Sequence, residues 1–119
     1  MQTIDVQKLQ EWKRTNRDFL FLNVLDKDAF SREHALGSRH VPLEQDGRSH
    51  DFADRVAKLA STKDRTIVVY CAGPECNASE KAAKQLDEAG FTNVYDFEGG
   101  MQAWKAADMP ISAAHSARA

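Results

Sequence analysis

The sequence predicts an α/β domain built on a parallel sheet with helices on both faces. Three observations carry that expectation. Residues 19–25 (FLFLNVL) and 66–70 (TIVVY) are almost continuously apolar rather than alternating, which is how strands covered on both faces read. Segments with apolar residues at helical spacing lie between the strand candidates. Strand and helix candidates then alternate along the chain, the order that produces crossover connections and a parallel sheet. A chain of 119 residues suits one domain with one core.

The elements follow in order. Asp5 is placed to cap a helix over residues 6–14, with Val6, Leu9 and Trp12 on one face. Residues 19–25 form the first strand, and residues 26–33 read as a short helix. Gly37 breaks the chain before a brief strand at 38–41, which Pro42 stops. Residues 43–50 are a polar loop. The next segment, 51–60, is amphipathic, with Phe52, Val56, Leu59 and Ala60 at helical spacing. Residues 66–70 are a strand. A helix over 77–89 carries Ala82, Ala83, Leu86 and Ala89 as its apolar stripe. Asn77 with Glu80 three residues on forms a capping-box pattern, and Gly90 ends the helix. Residues 94–97 read as a last strand, Gly99 and Gly100 as a turn, and 101–107 as a last helix. The domain is expected to run over 1–111. The small, polar stretch 112–119 (SAAHSARA) is expected to be a flexible tail.

Composition narrows the function. The chain is 42% hydrophobic and 29% charged, with a net charge of −2, so nothing in its balance calls for nucleic acid or an anionic membrane as a partner. No apolar run approaches the roughly 20 residues of a membrane helix. The start of the chain, MQTIDVQKLQEW, is polar and amphipathic without the apolar core of a secretory signal, so a cytoplasmic location is the default expectation. Two cysteines do not make a disulfide scaffold. In a reducing compartment they read as reactive, metal-binding or buried. His34, His40, His50 and His115 are scattered, and the four-residue gap between the cysteines is not a common zinc spacing, so neither a metal nor another cofactor is expected.

Chemistry concentrates in residues 66–79, TIVVYCAGPECNAS. A strand ends in Cys71, a short loop with Gly73, Pro74 and Cys76 follows, and a helix begins. At such a position backbone N–H groups converge and the helix dipole is positive, and both favour a thiolate. In open parallel sheets the site lies beyond the carboxyl ends of the strands, where Cys71 stands. A small buried thiol is the bland reading of the same residue. Trp12 and Trp104 read as core and docking residues. Lys81 and Lys84 read as solvent-facing.

Taken together, the motifs resemble the rhodanese domain. VVYC, a loop, a helix with Ala82 and Ala83, then Gly90-Phe91, Asn93-Val94, Gly99-Gly100 and Ala103-Trp104 occur in that family's order and spacing. Earlier, residues 19–24 are similar to its "llDvR" strand, 28–30 to its acid-plus-aromatic segment, and 34–42 to its "H-I-x-G-A-x-x-I-P" segment. The likeness spans about residues 3–111. It implies an α/β fold with a central five-stranded parallel sheet, and a sulfurtransferase. Cys71 would take a sulfane sulfur from a donor such as thiosulfate or a persulfide, and pass it to cyanide or a cellular thiol. The backbone N–H groups of Ala72, Gly73, Glu75, Cys76 and Asn77 would cradle the charge, with Pro74 shaping the loop.

Three positions depart from the family pattern. The loop has no arginine: its sixth position is Cys76, and no Arg or Lys lies between Cys71 and Glu80. The strand motif reads Asn23-Val24-Leu25, and Leu36 stands where a proline is expected. Cys76 itself reads either as a buried filler or as a resolving thiol. In the second case it would attack a Cys71 persulfide and leave a disulfide for thioredoxin or glutathione to reduce. Two further functions remain in play. A phosphatase or arsenate reductase would want an arginine where Asn77 stands. A non-catalytic redox-sensing or binding module would use the Cys71/Cys76 pair.

Overall fold

The computed structural model describes residues 1–44 and 50–113. Along the chain the elements are β1 (Gln2–Thr3), α1 (Val6–Arg14), β2 (Leu20–Asn23), α2 (Lys27–Arg32), β3 (His34–Ala35), β4 (Arg39–His40), α3 (Phe52–Ala60), β5 (Ile67–Tyr70), α4 (Ala78–Glu88), β6 (Val94–Phe97), α5 (Gly100–Ala106) and β7 (Ile111–Ser112). Five strands form one sheet in the order β1-β6-β5-β2-β4, every pair parallel. The expected α/β fold with a five-stranded parallel sheet is therefore present.

Both faces of the central strands are apolar, which is why their sequences do not alternate with polar residues. Leu20, Leu22, Ile67, Val69 and Val94 pack with Phe52 and Val56 of α3 and with Ala82, Ala83 and Leu86 of α4. On the other face Phe21, Val68, Tyr70 and Phe97 pack with Leu9 and Trp12 of α1 and with Met101 and Trp104 of α5. Trp104 is fully buried, and its Nε1 donates to the Pro110 carbonyl at 2.7 Å. Both tryptophans are thus core residues.

The helix ends vary in how closely they follow sequence expectation. Asp5 accepts from the Lys8 N–H at 2.9 Å, a side-chain cap as expected. Asp26 caps α2 through the Ala29 N–H at 2.8 Å. Asn77 makes no side-chain cap bond, because the chain enters α4 with Asn77 at φ −101° and ψ 6° instead of in an extended conformation. At the other end of α4, Gly90 at φ +97° donates to the Asp87 carbonyl, and Phe91 donates to Leu86. That pair of bonds satisfies the last carbonyls in the way a left-handed glycine permits.

Three strands escape the sequence analysis. β1 is an edge strand on β6, and β3 and β7 pair antiparallel as a separate two-stranded ribbon. Each has two residues, too few for any periodicity to register. Ser112, the first residue of the expected tail, pairs with His34 in this ribbon. Residues 114–119, with His115, lie outside the described residues, as do 45–49 of the expected polar loop. No described helix is long and apolar enough to cross a membrane.

Candidate active site

Parallel strands with neighbouring registers bring their carboxyl ends together. Asn23 of β2, Tyr70 of β5 and Phe97 of β6 are paired partners across the sheet, so the segments that follow them meet. Cys71 follows Tyr70 on the strand between β6 and β2. Among the described residues the loop from Cys71 to Asn77 sits at the centre of this edge.

The loop is clamped from α5. The Met101 N–H donates to the Cys71 carbonyl at 3.0 Å, and the Gln102 N–H to the Ala72 carbonyl at 2.9 Å. These are first-turn donors of α5 with no partner inside their own helix. The approach requires Gly100, whose φ is +54° and whose hydrogen faces the Cys71 carbonyl. A Cβ there would overlap that oxygen and lie 2.9 Å from Gly73 N. The Gly99-Gly100 turn thus has a specific task, which is to let two backbones touch. Within the loop, the Cys76 N–H donates to the Gly73 carbonyl at 3.0 Å and closes a tight turn.

A buried polar network holds the base. The Tyr70 hydroxyl accepts from Asn23 Nδ2 at 3.0 Å and from the Ala35 N–H at 3.0 Å, and lies 2.8 Å from Ser38 Oγ. Asn23 Oδ1 accepts from the Leu25 N–H at 2.9 Å. The amide at position 23 thereby ties β2, β5 and the chain around Gly37 together without an ion pair. Phe30 is sandwiched between the rings of His34 and His40, at 3.7 and 4.5 Å between centroids. His34 Nδ1 pairs with the Phe30 carbonyl and His40 Nε2 with the Leu25 carbonyl. Both imidazoles are spent on structure. Among the described residues no three His, Cys, Asp or Glu side chains gather closely enough for a metal ion.

Cys71 and Cys76 are both free thiols with different surroundings. Cys71 is 1% exposed. Its Sγ lies 3.5 Å from the Cys76 carbonyl, to which the thiol donates, and 3.5 Å from Ser79 Oγ in the first turn of α4. Burial, and after it the Cys76 side chain, push the Cys71 thiol up from its ordinary value; Ser79, through hydroxyl and N–H, pulls the other way without prevailing. The expectation of a lowered Cys71 pKa is thus reversed, because the strand end that offers the amides also removes the water. For Cys76, partial burial also raises the pKa, but hydrogen bonds from the Cys71 side chain and from the Ala78 and Ala72 N–H groups outweigh it and bring the thiol down. The Cys71 side chain first, and then the Ala78 and Ala72 N–H groups, thus favour charge on the second cysteine.

Asp96 of β6 lies next to this base. It is 1% exposed, and its Oδ1 has no partner. Burial raises its pKa; Ser79 lowers it, while Glu98 and Glu80 add to the rise. Ser79 thus stands between a thiol and a buried carboxyl. Nothing in the sequence singles out Asp96 or Ser79, since each lies in an otherwise apolar or helical pattern.

Above the loop lies an open groove of about 880 Å³. Ala72, Gly73, Glu75 and Cys76 form one side, and Cys71 is not among the lining residues. Arg32 and Glu33 come from the end of α2, Gln102 and Lys105 from α5, and Leu25, Ala29 and Met101 supply apolar surface. Lys105 Nζ pairs with Glu33 Oε2 at 2.6 Å. Two cations thus reach the groove from other elements, Lys105 already paired with Glu33 and Arg32 from the end of α2, with the Glu75 carboxylate on the loop side. Sequence reasoning did not find them, because Arg32 and Lys105 are 73 positions apart and ordinary on helix surfaces. Lys81 and Lys84 are exposed, as expected, and do not line the groove. A second groove of about 800 Å³, between β1 and α1, contains no thiol.

Comparison with known proteins agrees with this architecture. The family described as the rhodanese-like domain matches residues 5–107. The chain is 28% identical over 102 residues to the thiosulfate sulfurtransferase GlpE of Coxiella burnetii, covering 85% of this chain and 86% of that protein. It is 35% identical over 98 residues to the chloroplastic thiosulfate sulfurtransferase 16 of Arabidopsis thaliana, covering 78% and 79% of the two chains. The solution structure of the rhodanese-like domain of the Anabaena sp. Alr3790 protein superposes with a TM-score of 0.80 at 29% identity, covering 100% of this chain and 84% of that one. The chain belongs to the rhodanese-like domain family.

Proposed function

We propose that the protein is a sulfurtransferase that carries sulfane sulfur as a persulfide on Cys71. The carrying observation is the placement of that thiol: it follows the central strand, lies against Ser79 in the first turn of α4, and sits under a groove bearing Arg32 and Lys105. The family supplies the reaction class; these residues support its details.

With thiosulfate as donor, the Cys71 thiolate attacks the outer sulfur. The new S–S bond forms as the old one breaks, and sulfite leaves with the electron pair. A persulfide donor leaves as its thiol. An acceptor thiolate, free or on a protein, or cyanide then takes the outer sulfur and returns Cys71 to the thiolate. Ser79 favours the ionised state of Cys71, and the exposed Arg32 guanidinium on the groove offers an anionic donor a cation near the loop. Such a mechanism calls on no metal, and no side chain of this loop offers the bidentate grip that phosphoryl or arsenate transfer wants, since Asn77 stands where an arginine would be needed.

The test is direct. Incubation with thiosulfate is expected to add about 32 Da, the mass of one sulfur, to the chain at early times, and Cys71→Ser should abolish the adduct. If every one of several sulfane donors leaves the native protein with neither an adduct nor released hydrosulfide, the reading is overturned in favour of a binding or redox-sensing module.

A further inference from the structure

Resting on the persulfide reading, we propose that the Cys71/Cys76 pair also releases sulfur as hydrosulfide, with Cys76 closing a disulfide onto Cys71. The two thiols sit on one loop at different depths. Cys71 is buried, while Cys76 lines the groove. The Cys71 Sγ reaches the Cys76 carbonyl at 3.5 Å, and the two side chains are close enough to alter each other's proton affinity. The Cys76 side chain is within hydrogen-bonding reach of the Cys71 side chain, so the inner sulfur of a Cys71 persulfide has a second thiol as neighbour. The Ala78 and Ala72 N–H groups, which persist when Cys71 carries sulfur, favour the Cys76 thiolate, the form that attacks.

The step balances without an outside reagent. Cys76 thiolate attacks the Cys71 Sγ of the protonated persulfide. A Cys71–Cys76 bond forms, and the bond to the outer sulfur breaks. That sulfur leaves with the electron pair as hydrosulfide. The sulfane sulfur is reduced, and the two cysteines are oxidised to the disulfide. Resetting the loop requires a thiol reductant, either two monothiol molecules or one protein dithiol, which leaves as its own disulfide. The acceptor class implied is thus a reductant of disulfides as well as a taker of sulfur. A loop with an arginine in place of Cys76 has no such exit.

A single-turnover experiment tests this. The reduced protein is loaded anaerobically with thiosulfate and no added thiol, and hydrosulfide and intact mass are followed together. In the native chain one hydrosulfide per chain should appear, and the mass should settle about 2 Da below the reduced protein, as one disulfide requires. In Cys76→Ser the adduct of about 32 Da should persist at least tenfold longer, with no hydrosulfide. Cys76→Ala should match it, which separates loss of the thiol from any effect of the serine. Equal adduct lifetimes in native and variant chains, without hydrosulfide, would overturn the proposal and leave the sulfurtransferase reading standing. A variant that takes up no sulfur while the native chain does would also overturn it, by making Cys76 the loading thiol. No uptake by either chain, from thiosulfate or from a low-molecular-weight persulfide used in its place, defeats the sulfurtransferase reading itself.

Discussion

The base and the mouth of the Cys71 loop are built on opposite principles. At the base, Cys71, Tyr70, Asn23, Ser79 and Asp96 are all buried, and their polar atoms bond to one another and to neighbouring backbone and Ser38, except Asp96 Oδ1, which has no partner. At the mouth, Cys76 and Glu75 face an open groove with Arg32, Glu33 and Lys105. The first is closed to solvent and the second is open to it. The same backbone turn therefore raises the pKa of one thiol and lowers that of the other. The lesson is that amides at a helix N-terminus do not by themselves activate a cysteine. Their effect competes with desolvation, and depth decides the winner. Position along the strand assigns a cysteine to the site, but solvent access sets its protonation.

That contrast predicts large stability effects at the base and smaller, salt-dependent activity effects at the mouth. The largest is expected for Gly100→Ala. The added Cβ meets the Cys71 carbonyl and the left-handed conformation is strained, so a loss of about 3 kcal/mol or more is expected by urea unfolding. Gly37→Ala is the control. Gly37 has φ +92° but no atom within 4 Å, so only the backbone strain of about 1–2 kcal/mol should appear. Equal losses in the two variants would mean that the α5 clamp does not constrain the loop.

Next comes Tyr70→Phe. Removing the hydroxyl strands Asn23 Nδ2 and the Ala35 N–H, and a loss of about 2 kcal/mol is expected, with slower sulfur uptake because β2, β5 and the Gly37 segment are no longer tied. A third variant, Asp96→Asn, concerns pH. Burial raises the Asp96 pKa above 3.8, so the fold holds the proton more tightly than the unfolded chain does. Its contribution is full below that unfolded value and is lost as pH rises through the raised folded one. Native stability should fall over that window, and Asp96→Asn should remove this part of the slope. Unfolding curves at several pH values, from acidic to neutral, give the comparison.

The smallest effect belongs to the mouth. Arg32→Ala should raise the KM for thiosulfate about three- to tenfold at low salt and leave kcat nearly unchanged, since an exposed cation attracts the donor but touches no reacting atom. Added salt should shrink the difference. A change confined to kcat would place Arg32 in the chemical step and erase the division between base and mouth.

Much of this molecule is legible in the chain alone. The runs 19–25 and 66–70 declare buried parallel strands, Asp5 a helix start, and Gly90 a helix end, because each depends on residues within one or two turns. Cys71 is legible as the candidate site for the same reason: strand, thiol, glycine and helix are contiguous. What the chain conceals is non-local. β1, β3 and β7 exist only through partners 93, 78 and 78 positions away, as the pairs Gln2 with Tyr95 and His34 with Ser112 show. Asn77 looks like a cap, but the loop that holds Cys71 sets its backbone angles. Local spacing thus determined the longer elements and placed Cys71 at the strand-to-helix turn. Tertiary structure decided which thiol is dry, which carboxyl lies behind Ser79 and which cations overlook the loop, because burial and charge at a point depend on every element that reaches it.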